Sequence, residues 1–258
     1  MKFYLATDLE GVAAVTGEGE KGLNESKEYE FARKMLTQET NAAIDGLRSA
    51  GDVEIIVEDG HHDGTANLCY DKLRRGVRIY SGVPRPRRLA PLDESFAGVL
   101  LIGFHPMAGS NAGVLAHTYS NLIQNMWLNG RRIGEIGITA AQAGSLGVPV
   151  IFVSSCKAGA AEAEDWIAGV KTVAVKEGYG RNCAISLHPE DAQEQIRTRT
   201  AEAVRVLPTI EPVSVKSPYE LRIEYKFEHL AEAEAKTGER IDSRTIIRRS
   251  EDIFKIQY

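Results

Sequence analysis

Short apolar runs alternate along this chain with longer amphipathic stretches, the rhythm of strand–helix–strand units in a largely parallel sheet. Residues 2–7 predict a strand, and residues 26–50 a long helix whose apolar positions (Tyr29, Phe31, Met35, Leu36) recur three and four apart before Gly51 stops it. Residues 53–57, 99–104 and 148–153 are nearly continuous in apolar side chains, as strands buried on both faces require. Asn129-Gly130 between two extended runs signals a hairpin with a primed turn. The Ala-rich stretch 135–146 and residues 189–206 predict helices. From about residue 211 the texture changes: 219–227 alternates like a half-exposed strand, a short helix follows, and 245–248 predicts another strand. The expected architecture is α/β, a mostly parallel sheet flanked by helices. Residues 1–210 would form the core and 211–258 a C-terminal α+β appendage packed with it.

With 258 residues, 43% of them hydrophobic, the chain can bury a sizeable core without disulfides. Its formal charge of −5 leaves no basic field for a polyanion, which argues against nucleic acid as a partner. The densest basic stretch (Arg240, Arg244, Arg248, Arg249) is interleaved with Glu239, Asp242 and Glu251 and reads as a solvated face. Cys69, Cys156 and Cys183 lie far apart and form neither a disulfide framework nor a metal knuckle. The N-terminal apolar run is cut by Asp8, too early for a signal peptide, and no stretch approaches the ~20 apolar residues of a membrane span. These features predict a cytoplasmic protein without membrane contact.

Ligands of open parallel sheets bind beyond the carboxyl ends of the strands. After the first predicted strand come Asp8 and Glu10, two apart and so able to face one place. After the second comes Glu58-Asp59-Gly60-His61-His62-Asp63-Gly64, and after the third His105. A lone strand-end Asp is ordinarily a cap and a lone His a satisfied surface residue. Repetition at three strand ends points instead to a site of mixed oxygen and nitrogen ligands suited to zinc or a similar divalent metal. Two adjacent carboxylates need a cation between them. Residues 17–22 match a dinucleotide-loop pattern, but no strand directly precedes them and Glu18 and Glu20 would repel a pyrophosphate. No serine has the context of a nucleophile, and Cys156 reads as a small buried hydrophobe.

The order Asp8-x-Glu10-Gly11, Asp59-x-His61, Gly103-Phe104-His105, Gly113-Val114-x-x-His117, then Asn129-Gly130 and Gly134-Glu135 resembles the DppA-type D-aminopeptidase family over nearly the whole chain. The resemblance implies dinuclear-zinc, self-compartmentalising peptidases built as ring homo-oligomers, decamers in the family, acting on short peptides with D-residues of the D-Ala type. It places metal ligands at Asp8, Glu10, His61, His105 and Glu135, for two Zn2+ or other divalent ions per subunit. It also places an essential non-ligand histidine at His117. Read without it, Glu135 would be a first-turn acid favoured by the helix dipole and His117 a surface histidine. Two divalent ions against three carboxylates leave one charge for a bridging hydroxide, the expected attacking group. His117 would serve as nucleophile, general base or oxyanion stabiliser. Ala6, Glu58 and Ser155-Cys156 stand where the family usually has Ser, Asn and Gly-Asp. The hairpin residues Met126, Trp127 and Leu128 are candidates for a subunit interface. Two other readings compete: a dinuclear phosphoesterase, for which His62 and Lys157 are the nearest cations, and a metal-binding ring scaffold without catalysis.

Overall fold

Five buried side chains in a row make β1 (Lys2–Thr7) a strand that needs cover on both faces. The computed structural model describes residues 1–19 and 21–256, so Glu20 of the glycine-rich stretch lies outside the described residues. The chain continues through α1 (Tyr29–Arg48), β2 (Glu54–Asp59), a short β3 (Arg78–Tyr80) and a fully buried β4 (Gly98–Phe104). A hairpin of β5 (Ile123–Leu128) and β6 (Arg131–Arg132) precedes α2 (Glu135–Ser145), β7 (Val150–Cys156) and α3 (Lys157–Trp166). Then come β8 (Lys171–Gly180), β9 (Cys183–Ser186) and α4 (Pro189–Val206). The C-terminal part adds β10 (Tyr219–Tyr225), α5 (Glu228–Glu234), β11 (Glu239–Arg240) and β12 (Thr245–Ser250).

The main sheet runs β3-β2-β1-β4-β7-β8-β9, and all neighbours are parallel except the β8–β9 hairpin. Helix α1 packs with α4, and α2 with α3, each pair contacting the sheet. An antiparallel second sheet, β11-β12-β10-β5-β6, joins the C-terminal strands to the 123–132 hairpin through the β10–β5 ladder. Asn129 and Gly130 have φ of 49° and 81°, the double positive-φ turn their sequence predicts.

Several expectations change in detail. Strand β2 reaches Asp59 because Glu58 and Asp59 are buried with partners: Glu58 pairs with Arg85, and Asp59 accepts from Asn67, Leu68 and Tyr70. Strand β7 reaches Cys156 because Ser154 Oγ accepts from Gly103 N and Ser155 Oγ donates to Phe104 O. Met126 and Leu128 point into the protein and are 2% and 3% exposed, so neither can serve a subunit interface, while Trp127 is covered by the Arg222 guanidinium. The basic C-terminal positions are ion-paired, Arg244 to Glu224, Arg248 to Glu234 and Arg249 to Glu220 and Glu239. Cys156 is fully buried, as read from sequence. Among the described residues no helix is long and apolar enough to cross a membrane.

From β1 the chain builds β2 and β3 on one side, then crosses back to lay β4 on the other, making β1/β4 the point where strand order reverses. The backbones beyond these two strands nearly touch. Gly11 N donates to Gly103 O at 2.7 Å and Asp8 N to Ile102 O at 2.8 Å. A Cβ on Gly11 would lie 1.9 Å from Phe104 O, and one on Gly103, at φ +72°, would lie 2.2 Å from Asp8 O. Gly103→Ala therefore combines left-handed strain with a backbone clash and should cost about 2–3 kcal/mol in urea unfolding. Unchanged stability would show that this approach does not constrain the fold.

Candidate metal centre

The crevice at the strand reversal opens into a cavity of about 290 Å³, whose wall includes Asp8, Glu10, His61, His105, His117 and Glu135. Asp8 and Glu10 follow β1 in a tight turn rather than an extended run, with Leu9 N donating to Asp8 Oδ1. His61 follows β2, held by Asn67, whose amide donates to both His61 O and Asp59 Oδ1. Asp59 is thus a brace for the loop that carries His61. His105 directly follows β4, and Glu135 opens α2.

These side chains form two halves sharing Asp8. Asp8 Oδ1 lies 2.9 Å from His61 Nδ1, which also faces Glu10 Oε2 at 3.1 Å. Asp8 Oδ2 lies 3.3 Å from His105 Nε2, which faces Glu135 Oε1 at 3.2 Å. His105 Nδ1 is 3.1 Å from the Pro106 carbonyl, which can only accept, so Nδ1 carries the proton and Nε2 is turned to the carboxylates. His117 stacks on His105 with ring centroids 3.7 Å apart. Its Nδ1 donates to Leu115 O at 2.8 Å, which leaves Nε2 of the neutral ring as an acceptor. His105, His117 and Glu135 each bring a donor atom within 4.8 Å of the others, as do Asp8, Glu10 and His105.

The donor set fits divalent cations. Three carboxylates and two imidazoles are held out of water, His61 Nε2 has no hydrogen-bond partner, and Glu10 Oε2 meets His61 without hydrogen-bond alignment. Without a metal, protons must do its work. Burial and the charge of Glu10 push Asp8 up to about 7 against the pull of His61 and His105. Burial opposes charge on His105, but the Glu135 carboxylate outweighs it and raises the ring to about 10. Burial likewise disfavours a charged His61, yet Glu10 and Asp8 hold it well above the usual range. Glu135 is held near 2, its burial outweighed by His105 and Arg88. His117 goes the other way, to about 4, through burial and the neighbouring His105 charge.

Residues the sequence reading did not single out support this centre. Lys176, buried on β8, donates from Nζ to the carbonyls of Glu10 (2.6 Å), Val12 (2.7 Å) and Val15, and Glu39 on α1 accepts from Ala13 N. Together they clamp the turn that presents Glu10. Lys176 is out of step with the apolar alternation of Val173 and Val175, so periodicity offers no signal for it. The cavity wall also carries Arg85, Arg88 and Arg181. Of the cations expected for a phosphoester, His62 lines the cavity, whereas Lys157 is exposed and paired with Glu177.

Protons and metal compete for the same atoms, so metal should bind more tightly as pH rises. At pH 7 the metal-free site holds protons on His61 and His105. Zinc binding should therefore release the protons of both imidazoles and the fraction carried by Asp8, at least two per subunit, read by titration calorimetry in buffers of different ionisation heat. Heats independent of the buffer would contradict this assignment.

A family profile described as D-aminopeptidase (Peptidase_M55) matches residues 1–257. The D-aminopeptidase of Bacillus subtilis (strain 168) is 31% identical over 228 residues, covering 87% of this chain and 81% of its own length. A solved structure, described as the Zn-dependent D-aminopeptidase DppA from Bacillus subtilis, a self-compartmentalizing protease, superposes with a TM-score of 0.91. That superposition covers 98% of this chain and 93% of the other at 28% identity. Buried donors gathered around one shared carboxylate and similarity over nearly the full length lead to the same conclusion: the chain belongs to the D-aminopeptidase family.

Proposed function

We propose that this protein is a zinc-dependent aminopeptidase that removes the N-terminal residue of short peptides, with D-residues of the D-Ala type as substrates. One observation carries the reading: Asp8 turns one oxygen to His61 and Glu10 and the other to His105 and Glu135, a single carboxylate between two sets of donors. Two Zn2+ ions per subunit would be held by Asp8, Glu10, His61, His105 and Glu135, other divalent metals fitting the same donors. Family membership favours peptide hydrolysis over the phosphoesterase and scaffold readings.

Bound divalent metal supplies Lewis acidity, which polarises a scissile carbonyl and makes water acidic near neutral pH. The protein's own part is orientation and proton movement. Pro106 O fixes the tautomer of His105, and Tyr119 N donates to Glu135 Oε1 at 2.7 Å, so both side chains are held before substrate arrives. His117 presents a neutral ring whose Nδ1 proton is committed to Leu115 O. Its Nε2 lone pair can take a proton from the attacking water and return it to the leaving amine. It has no second N–H with which to steady an oxyanion, which favours the general-base role over that alternative.

The relative described as self-compartmentalizing supports assembly of this chain into a ring homo-oligomer, of the family's decameric kind. Three free cysteines support a cytoplasmic location. The β10–β5 ladder supports reading 211–258 as packed into one domain with the 1–210 catalytic core.

His117→Ala should lower the turnover of a D-alanyl amide by roughly 10²–10⁴ while zinc content stays unchanged. His105→Ala should lose zinc and activity together. Loss of zinc in His117→Ala would make that residue a ligand, and full activity would make it a bystander.

A further inference from the structure

The cavity wall carries three guanidinium groups, and their engagement differs. Arg85 is spent on Glu58 and on the carbonyls of Gly82 and Asp59. Arg181 is spent on Ala116 O at 2.6 Å and Asn121 Oδ1 at 2.7 Å. Arg88 is not. Its Nε is buried without a hydrogen-bond partner, and Nη2 reaches Thr139 Oγ1 only at 3.4 Å. Nη1 stops 3.8 Å from Glu135 Oε2, an ion-pair distance beyond hydrogen bonding. Five donors on a half-buried cation therefore have little to hold.

The group is nevertheless fixed. Its Cζ lies over the Tyr119 ring, 4.9 Å from the centroid. The backbone on either side is tied down by Arg87, which donates to the carbonyls of Arg88 and Leu89 at 3.2 Å and of Leu92 at 2.7 Å. Leu89, next in the chain, is fully buried at φ +51°. A guanidinium that is rigid, partly desolvated and short of acceptors beside a reaction centre is suited to an incoming planar anion, above all a carboxylate held by two parallel hydrogen bonds.

We infer that Arg88 binds the free C-terminal carboxylate of the substrate and makes this enzyme selective for dipeptides, an inference that rests on the aminopeptidase reading above. In a dipeptide the terminal carboxylate follows the scissile bond by one residue, a span of about 3.8 Å. Arg88 lines the same cavity and is an immediate neighbour of Glu135, one of the side chains assigned to the metals, so an anion on its free donors lies within a short peptide's reach of the reacting centre. Each further residue would carry the carboxylate past the guanidinium.

The test compares D-alanylglycine with D-alanylglycinamide, which differ only in the terminal anion, on zinc-loaded wild type, Arg88→Met and Arg88→Lys. Wild type should favour the free acid in kcat/KM by about 10–100-fold, the range of one charge-assisted pair. Arg88→Met should bring the ratio close to one, and Arg88→Lys, which keeps the charge without the fork, should give an intermediate ratio at full zinc content. Equal rates on the two substrates in wild type would overturn the inference. So would variants that lose activity on both in proportion, because Arg88 would then act by positioning Glu135. If Arg88→Met does not fold, the wild-type and Arg88→Lys ratios decide the matter alone. Hydrolysis of neither substrate by wild type would overturn the aminopeptidase reading itself, and this inference with it.

Discussion

Asp8 sits between two imidazoles, with Glu10 beside one and Glu135 beside the other, and all of them are shielded from water. Three carboxylates at such spacing repel one another strongly in a medium of low dielectric, so the arrangement is tolerable only with compensating positive charge. Protons on His61 and His105 can supply some of it, and divalent cations supply it better while using the same lone pairs. The remaining architecture can be understood as what is needed to hold these mutually repelling groups in place.

That support comes from every side of the β1/β4 reversal. The two glycine approaches bring the strand ends together, and the Ser154 and Ser155 hydroxyls tie β7 to the backbone of β4 just before His105. Lys176 and Glu39 grip the turn after β1 from opposite elements, β8 and α1. Asp59 spends its carboxylate on the loop that carries His61. Glu58, a departure from the usual family pattern, takes up Arg85 and so separates its role in the cavity from that of Arg88. Rigid surroundings of this kind pre-organise a metal site whose own ligands would otherwise spread apart.

Much of this was legible in the sequence because strand ends are easy to locate from runs of apolar residues. Asp8, Glu10, His61 and His105 each stand at or just beyond such a run, and parallel-sheet geometry alone brings them to one rim. Glu135 was not legible by that route, since an acid at the start of a helix already has a sufficient local explanation, and its approach to His105 is purely tertiary. His117, Arg88 and Arg181 lie on loops whose path no periodicity encodes. The β8–β9 hairpin and α3 escaped notice for a related reason: Lys176 and Glu162, charged residues in their middles, are buried on backbone partners that only the tertiary fold supplies. Met126 and Leu128 misled in the opposite direction, because an apolar residue in a short hairpin is as well explained by the second sheet as by a neighbouring subunit.

The charge balance of the site turns on Asp8 being shared between two metal ions. Anomalous diffraction from crystals of the zinc-loaded protein, collected on both sides of the zinc absorption edge, tests it most directly. Two zinc peaks roughly 3.5–4 Å apart are expected, one beside each oxygen of Asp8, with His61 and Glu10 at the first and His105 and Glu135 at the second. A single peak, or two peaks neither of which touches Asp8, would contradict it.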